Sequence, residues 1–395
     1  MYNLNWFLEV VLNTLNCNYE LFARNIVSSE NCCLVDDQGK QYIDFESGVW
    51  CVSLGHNCEQ VNEAMINQMK AISHVGSRYS TQIVEEAAGK VLKLLNFNDG
   101  KCVFLASGSE AVEFGVQLAK QVMCKPFFLC FRNYFLSSYG ISASRDNTQW
   151  ISLDLSEYSG NAVDYLRDVP FGEIGAFVFE PGNASGTVKL PPAGLVKAIE
   201  DRVKENKGFV IVDEVTTGAG RTGKWFGFEH YNIRPDIVSL GKGIGNGYPV
   251  SVISVSKQVA ELAEQGGFKY AQSHQNDPLG CAAVSEVISV IEENRYIQRS
   301  ADIGLVLETE LNSLRKKHNC IKEVRGIGLM YVVEFSSDNK ESLEIIHREL
   351  FEAGYVTGIS VLANLLRFYP PLTIEETHIK GMVNALDAIL VKYCQ

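Results

Sequence analysis

Six short, continuous apolar runs constrain the fold of this chain more than any other feature of its sequence. They are Cys102-Val103-Phe104-Leu105, Phe127 to Phe131, Ala176-Phe177-Val178-Phe179, Phe209-Val210-Ile211-Val212, Asp236 to Leu240 and Val250 to Val255. A strand covered on one face alternates apolar with polar residues, whereas a strand covered on both faces reads as an unbroken apolar run. Between the runs lie segments with helical spacing: Val61, Ala64, Met65, Met69 and Ile72, then Ile83 to Leu95, Glu110 to Val122, Gly194 to Lys204 and Ser256 to Glu264. Strands alternating with helices predict an α/β domain with a buried, mostly parallel sheet flanked by helices.

From about residue 290 the order changes to a long helix (Ile303 to Lys317), strands, a helix, a strand and a last helix from Thr373, which predicts a smaller α+β domain. With 395 residues the chain is long enough for two or three domains of about 150 residues. The expected division is residues 1–49 packing with the small domain, 50–289 as the large domain and 290–395 as the small one. An apolar content of 46% with 21% charged residues supports a sizeable core and excludes disorder, collagen and a small disulfide scaffold. The net charge of -12 excludes a nucleic-acid partner, since the densest basic run, Arg315-Lys316-Lys317-His318, reads as a solvated helix face.

The eleven cysteines are odd in number, contain no CxxC pair and sit mostly in apolar stretches, which suits a reducing compartment. Metal-ligand spacing is absent, so no metal is expected. Trp6-Phe7-Leu8 and Val10-Val11-Leu12 near the start lack a basic flank and a cleavage site, and no apolar run is long enough to span a membrane. A cytoplasmic protein is expected.

One motif misleads. Gly218-Ala219-Gly220-Arg221-Thr222-Gly223-Lys224 satisfies GxGxxG, but Trp225-Phe226-Gly227-Phe228 follow where a phosphate-binding helix would have to begin. Ala106-Ser107-Gly108-Ser109-Glu110-Ala111 is a better anion site, because it leaves a strand and opens a helix. Its Ser107 and Glu110 also form a capping box, which explains the segment without any ligand. Asp213 ends an apolar strand, where an acid serves a ligand or a helix cap. Lys242 follows another strand within Gly241-Lys242-Gly243-Ile244-Gly245-Asn246-Gly247. Glycines admit close approach of a ligand to the backbone, and a desolvated amine with a lowered pKa can form a Schiff base. An anion cradle, a carboxylate and an imine-forming lysine together are what pyridoxal 5'-phosphate requires.

With these segments in view, the sequence resembles the class III pyridoxal-phosphate aminotransferases, which include the acetylornithine, ornithine, 4-aminobutyrate and ω-amino-acid transaminases. The resemblance starts at Tyr42-Ile43-Asp44-Phe45-Glu46-Ser47-Gly48 and Leu54-Gly55-His56. It continues through Ser107-Gly108-Ser109-Glu110-Ala111, Glu180-Pro181, Asp213-Glu214-Val215 and Gly220-Arg221-Thr222-Gly223. Pro235-Asp236-Ile237, Gly241-Lys242-Gly243, Asp277-Pro278-Leu279 and Arg367-Phe368-Tyr369-Pro370-Pro371-Leu372-Thr373 complete it. It implies a fold type I transferase that moves an amino group from an amine or (ω-)amino acid to an oxo acid. Lys242 would be the Schiff-base lysine and Asp213 the partner of the pyridinium. Gly108 and Ser109 would hold the phosphate, Phe135 and Val215 would cover the two ring faces, and Ser107 and Glu180 would complete the cofactor's surroundings. Ser273 would reach the phosphate of a neighbouring subunit, which implies a homodimer. Arg367 would fix a substrate carboxylate, with Trp50 and Tyr79 also facing the substrate.

The sequence departs from that family at several of these places. Thr216 stands for a usual Gln, Leu136-Ser137 for His-Gly, Ser273 for Thr and Asp277 for Asn. Ser185 occupies the place of a second Glu in ornithine-type members, which argues against ornithine or acetylornithine as substrate. Gly48-Val49-Trp50-Cys51-Val52 looks like the pocket segment of ω-transaminases that accept simple amines, although Trp50 also suits a core. An aminomutase of the glutamate-1-semialdehyde type, a decarboxylase and a non-catalytic cofactor-binding homologue are the alternatives.

Overall fold

The computed structural model describes residues 25–76, 78–146, 148–182, 186–336 and 340–393. The apolar segment at Trp6 and the departure at Ser185 lie outside them.

Seven strands form the central sheet: β4 (Lys101–Leu105), β5 (Phe127–Phe131), β6 (Trp150–Leu153), β7 (Ile174–Phe179), β8 (Phe209–Asp213), β9 (Ile237–Leu240) and β10 (Ser251–Val255), numbered after three strands nearer the N-terminus. Their spatial order is β4-β10-β9-β8-β7-β5-β6. The strands from β9 to β6 pair in parallel, while β10 runs antiparallel to both of its neighbours. The reversal follows from chain length. Between β9 and β10 the chain makes only a short 3-10 turn at Lys242–Gly245, and a parallel return needs a crossover of roughly a dozen residues or more.

All six expected runs are strands here, with ends within two residues of those expected. The unexpected one is β6, an edge strand whose Ile151 and Ser152 are only half-buried. At an edge there is no need for a fully apolar run, so its sequence carries little signal.

Side-chain alternation explains why the other runs are continuous. Phe177, Phe179, Val210 and Val212 point to one face, where they meet Leu195 and Ile199 of the helix Ala193–Glu205. Ala176, Val178 and Ile211 point to the other face and meet Val112 and Val116 of the helix Gly108–Met123. With a helical layer on each side, every residue of β7 and β8 is buried.

The remaining strands form two smaller sheets. β1 (Ile26–Glu30), β2 (Cys33–Asp36) and β3 (Gln41–Asp44) are antiparallel, and β13 (Tyr355–Val356) joins them in parallel with β3. β11 (Ile321–Ile327), β12 (Met330–Phe335), β14 (Gly358–Ser360) and β15 (Leu365–Phe368) form the other sheet, in the order β11-β12-β15-β14. Its core gathers Leu307 from the helix Tyr296–Lys317, Ile346 and Met382 from the last two helices, Cys32 from the turn between β1 and β2, and Phe45 just after β3. The Tyr296–Lys317 helix starts before the expected Ile303. Gly328 makes the tight turn between β11 and β12 at φ 58°, with its Cα face against the backbone of Thr222. Side chains cannot adopt that backbone and approach together at low cost.

Eight of the described cysteines are free thiols, and Cys320 is disulfide-bonded. No described helix is long and apolar enough to cross a membrane.

Arg221, in the loop after β8, is 1% exposed and ties the central sheet to the C-terminal one. Its guanidinium donates to the carbonyls of Leu329, at 3.0 Å, and Pro370, while the Leu329 N–H donates back to the Arg221 carbonyl at 2.9 Å. Replacement by Ala strands both carbonyls in a dry interface, at a cost of about 3–5 kcal/mol. Urea unfolding of Arg221→Ala should show that loss; a change below about 1 kcal/mol would mean that the two sheets do not depend on this contact.

Candidate active site

The C-terminal ends of parallel strands leave N–H groups and side chains unpaired by the sheet, and ligands collect there. In this protein those ends border a cavity of about 1210 Å³. Trp50, Ser107, Gly108, Ser109, Phe135, Asp213, Val215, Lys242 and Arg367, all expected site residues, line it.

Ser107 caps the helix Gly108–Met123 by accepting the Glu110 N–H at 3.2 Å, and the Glu110 carboxylate accepts the Ala106 N–H at 3.1 Å. Capping is therefore present. It still leaves the first-turn N–H groups of Gly108 and Ser109, which have no acceptor within the helix. The fit at Gly108 is tight: a Cβ there would lie 2.5 Å from Val215 Cγ1. Gly241 is close-packed as well, though less tightly: a Cβ on it would lie 3.1 Å from Val215 Cγ1 and 3.3 Å from the Gly108 Cα. The backbones after β4 and β9 thus converge on the Val215 side chain, which follows β8, with no room for a Cβ at Gly108.

Asp213 is the last residue of β8, and its carboxylate accepts the Val215 N–H at 2.9 Å. Burial pushes its pKa up to about 7, against the pull of that N–H and of the Lys242 charge. Lys242 follows β9 with φ 47° and donates to Thr216 Oγ1 at 2.8 Å, its amine 4.7 Å from the centre of the Trp50 ring. Burial lowers the pKa of the amine, and the charges of Asp213, Glu180 and Cys51 oppose that shift. Thr216, a departure in the sequence, is thus the hydrogen-bond partner of the lysine.

Glu214 points away from the cavity. It accepts from Thr217 Oγ1 at 2.6 Å and from the N–H groups of Gly227 and Phe228 at 2.8 and 2.7 Å, and burial pushes it up to about 8.

The other departures also have structural partners. The Ser138 N–H donates to Ser109 Oγ at 3.0 Å, and Ser137 Oγ lies 3.2 Å from the Ser109 carbonyl. Leu136 is buried beside Phe135, which is 43% exposed. Asp277 pairs with His274 at 3.1 Å and His74 at 3.6 Å, the one grouping among the described residues that could share a cation. It lies outside the cavity, and 200 residues separate its two histidines, which hid it from spacing arguments.

Three expected residues do not line the cavity. Glu180 is buried after β7 and acts on Lys242 through its charge. Tyr79 is 73% exposed, and Ser273 is exposed in the turn ahead of the helix Pro278–Glu293.

Sequence reasoning missed Glu46. It is 8% exposed, lies in the cavity wall and pairs with Arg367 at 3.3 Å. Its only sequence signal is an acid inside a buried segment. The Arg367 guanidinium also sits 5.4 Å from the centre of the Trp50 ring, which stacks on Tyr369 at 4.9 Å.

Comparison with known proteins identifies the family. The family model described as aminotransferase class-III matches residues 14–137 and 137–390. The acetylornithine aminotransferase of Caldanaerobacter subterraneus subsp. tengcongensis is 30% identical over 385 residues, covering 94% of this chain and 96% of that one. That of Methanocaldococcus jannaschii is 28% identical, covering 93% of each. Among solved structures, the acetylornithine aminotransferase from Elizabethkingia anophelis superposes with a TM-score of 0.85 at 25% identity, covering 96% of each chain. An S-selective transaminase from Arthrobacter sp. with alanine bound gives 0.88 at 24%, covering 97% of this chain and 96% of that one. The chain belongs to the class III aminotransferases. It is a pyridoxal-phosphate-dependent enzyme that transfers amino groups.

The cavity fits that cofactor. A cradle at Gly108 that excludes even a Cβ, a buried acid with a raised pKa and a desolvated amine match its phosphate, ring nitrogen and aldehyde carbon.

Two outcomes are expected. Gly108→Ala should destabilise the apoprotein by about 1–3 kcal/mol, because β-branched Val215 cannot turn away. Adding Val215→Ala should relieve most of that loss in denaturant unfolding; equal losses in both backgrounds would mean the two do not touch. Glu214 and Glu46, pushed up to about 8 and about 7, bind more protons folded than unfolded between their ordinary range near 4.5 and those values. Apoprotein stability should therefore fall as pH rises from 5 to 8. Glu214→Gln should flatten that slope, and an unchanged slope would assign it elsewhere.

Proposed function

We propose that this cavity is the site of transamination, with Lys242 as the group that carries the cofactor and moves the proton. The observation that carries this reading is the placement of Lys242 and Asp213 at the ends of adjacent strands in one cavity, with the tightly confined start of the Gly108–Met123 helix beside them. When bound, pyridoxal phosphate supplies an electron sink that makes the substrate carbon acidic.

The residues of the chain do the rest. Lys242, with its amine held below the usual range by burial, has a neutral form able to take a proton from the substrate carbon and return it. Thr216 fixes the position of that amine. Asp213 offers a buried negative charge to a ring nitrogen cation, which offsets the burial that raises its own pKa. Gly108 and Ser109 offer N–H donors to the phosphate, and Phe135 and Val215 close over the ring. Arg367 receives a carboxylate through its planar fork. The donor is an amine or (ω-)amino acid and the acceptor an oxo acid. Relatives named for acetylornithine and neighbours described as amine or S-selective transaminases support both donor kinds.

Ser273 lies exposed, away from the cavity of its own chain, which supports a role at a neighbouring subunit and hence a homodimer. We read residues 50–289 as one domain and 290–395 as a second that shares its core with Cys32 and Phe45. We expect the enzyme to act in the cytoplasm.

The test is a visible spectrum of the cofactor-loaded protein, followed by a panel of amines and amino acids with and without an oxo acid. Bleaching by donors, reversed by the oxo acid, is the expected result. Release of carbon dioxide, or of an isomer without any acceptor, would replace transfer by decarboxylation or mutation. Lys242→Ala should lose the band and lower turnover by roughly 10²–10⁴-fold; full turnover in that variant would overturn the role given to Lys242.

A further inference from the structure

We propose that Glu46 determines substrate specificity: it competes with the substrate carboxylate for Arg367, so that the resting site favours donors that bring no carboxylate of their own. The inference rests on the aminotransferase reading above and deepens it.

Two guanidiniums line the cavity, Arg348, which shares its stretch of wall with Glu344, and Arg367, which lies against the Trp50 ring near the Lys242 amine and is already paired. Glu46 Oε1 lies 3.3 Å from its Nε, and both line the cavity that holds Lys242. The carboxylate has little freedom to withdraw. The Glu46 N–H donates to Asp44 Oδ1 at 2.7 Å and the Gly48 N–H to Asp44 Oδ2 at 3.0 Å, fixing the backbone on either side. On the other flank, a Cβ on Gly358 would fall 1.5 Å from Glu46 Oε1, so β14 packs directly on the carboxylate. Arg367 is confined too: a Cβ on Gly186 would come within 2.4 Å of its Nη1, and the Trp50 ring covers it at 5.4 Å. Two confined, opposite charges in a half-dry wall interact strongly.

A third charge changes the balance. A substrate carboxylate brought to Arg367 has to share it with Glu46, and two carboxylates at one guanidinium repel. An amine without a carboxylate meets an already neutral wall, with Trp50 as its apolar part.

The pH at which the competition ends follows from the surroundings. Burial pushes the Glu46 carboxyl up to about 7, Arg367 pulls it down and Asp44 pushes it up. Arg221 and the Tyr369 hydroxyl also bear on it. The nearby histidines are engaged elsewhere, His56 with Asp44 at 2.8 Å and His347 with the Thr357 carbonyl at 2.7 Å. Below about pH 7, therefore, a protonated Glu46 leaves Arg367 to the substrate, and above it the competition is at full strength.

The experiment measures succinate, an inert dicarboxylate, binding to the cofactor-loaded enzyme by calorimetry from pH 6 to 8.5, for the wild type and for Glu46→Gln. In the wild type the affinity should fall by roughly tenfold across that range. Glu46→Gln should bind about tenfold more tightly at pH 8 and show a flat profile. Equal affinities for the two proteins, or a flat wild-type profile, would overturn the proposal. The wild-type profile alone decides the matter if the variant does not fold. Failure of every amine to bleach the wild type would instead defeat the aminotransferase reading, whatever succinate does.

Discussion

A carboxyl and an amine held in one poorly solvated cavity are the constraint on which this structure turns. Isolated, neither Asp213 nor Lys242 would remain charged where it sits, because burial acts on both in the direction of neutrality. Each opposes that pressure on the other. Holding them there requires a rigid frame, and the frame is the pair of parallel strands β8 and β9, whose register sets Asp213 beside Ser239. A buried parallel sheet in turn requires helices on both faces, which is why so much of the sequence is unbroken apolar runs. The local strain follows from the same demand: Lys242 sits at φ 47° in order to leave β9 and turn back toward the cavity.

The sheet was legible because burial on two faces writes itself into contiguous residues. Phe177, Val178 and Phe179 read as one run although they serve opposite layers. Where burial is one-sided, as at the edge strand β6, the signal fades. The direction of β10 was not visible in its composition either; it depends on the short connection through Lys242–Gly245. Single residues at strand ends, such as Asp213 and Lys242, could be singled out because charged groups interrupt apolar runs. The Glu46–Arg367 pair could not, since its members are 321 positions apart and meet only when the first strands pack beside the last ones.

The departures from the family pattern are legible as differences but not as consequences. Thr216 reads as the loss of a longer side chain, yet its hydroxyl holds the Lys242 amine. Leu136-Ser137 reads as the loss of a His-Gly pair, yet Ser137, with Ser138 next to it, bonds to Ser109 at the start of the helix that borders the cavity. A short hydroxyl side chain carries no hint in sequence of which group it will meet, because its partners lie within a few ångströms of space rather than of chain.

The cavity draws on two sources, and that division has a physical consequence. Its chemical half comes from the ends of central strands: Gly108, Asp213, Val215 and Lys242. Its other half comes from outside that sheet, from Glu46 and Trp50 after β3 and from Arg367 in β15. The two halves meet at the Trp50 ring, 4.7 Å from the Lys242 amine on one side and stacked on Tyr369 on the other. Substitutions in the outer half alter what the wall presents to a substrate without moving the strands that position the amine and the acid. One fold can therefore keep a single reaction while its members differ in donor, and a buried acid such as Glu46 is tolerated in the outer half because its charge is met within that half by Arg367.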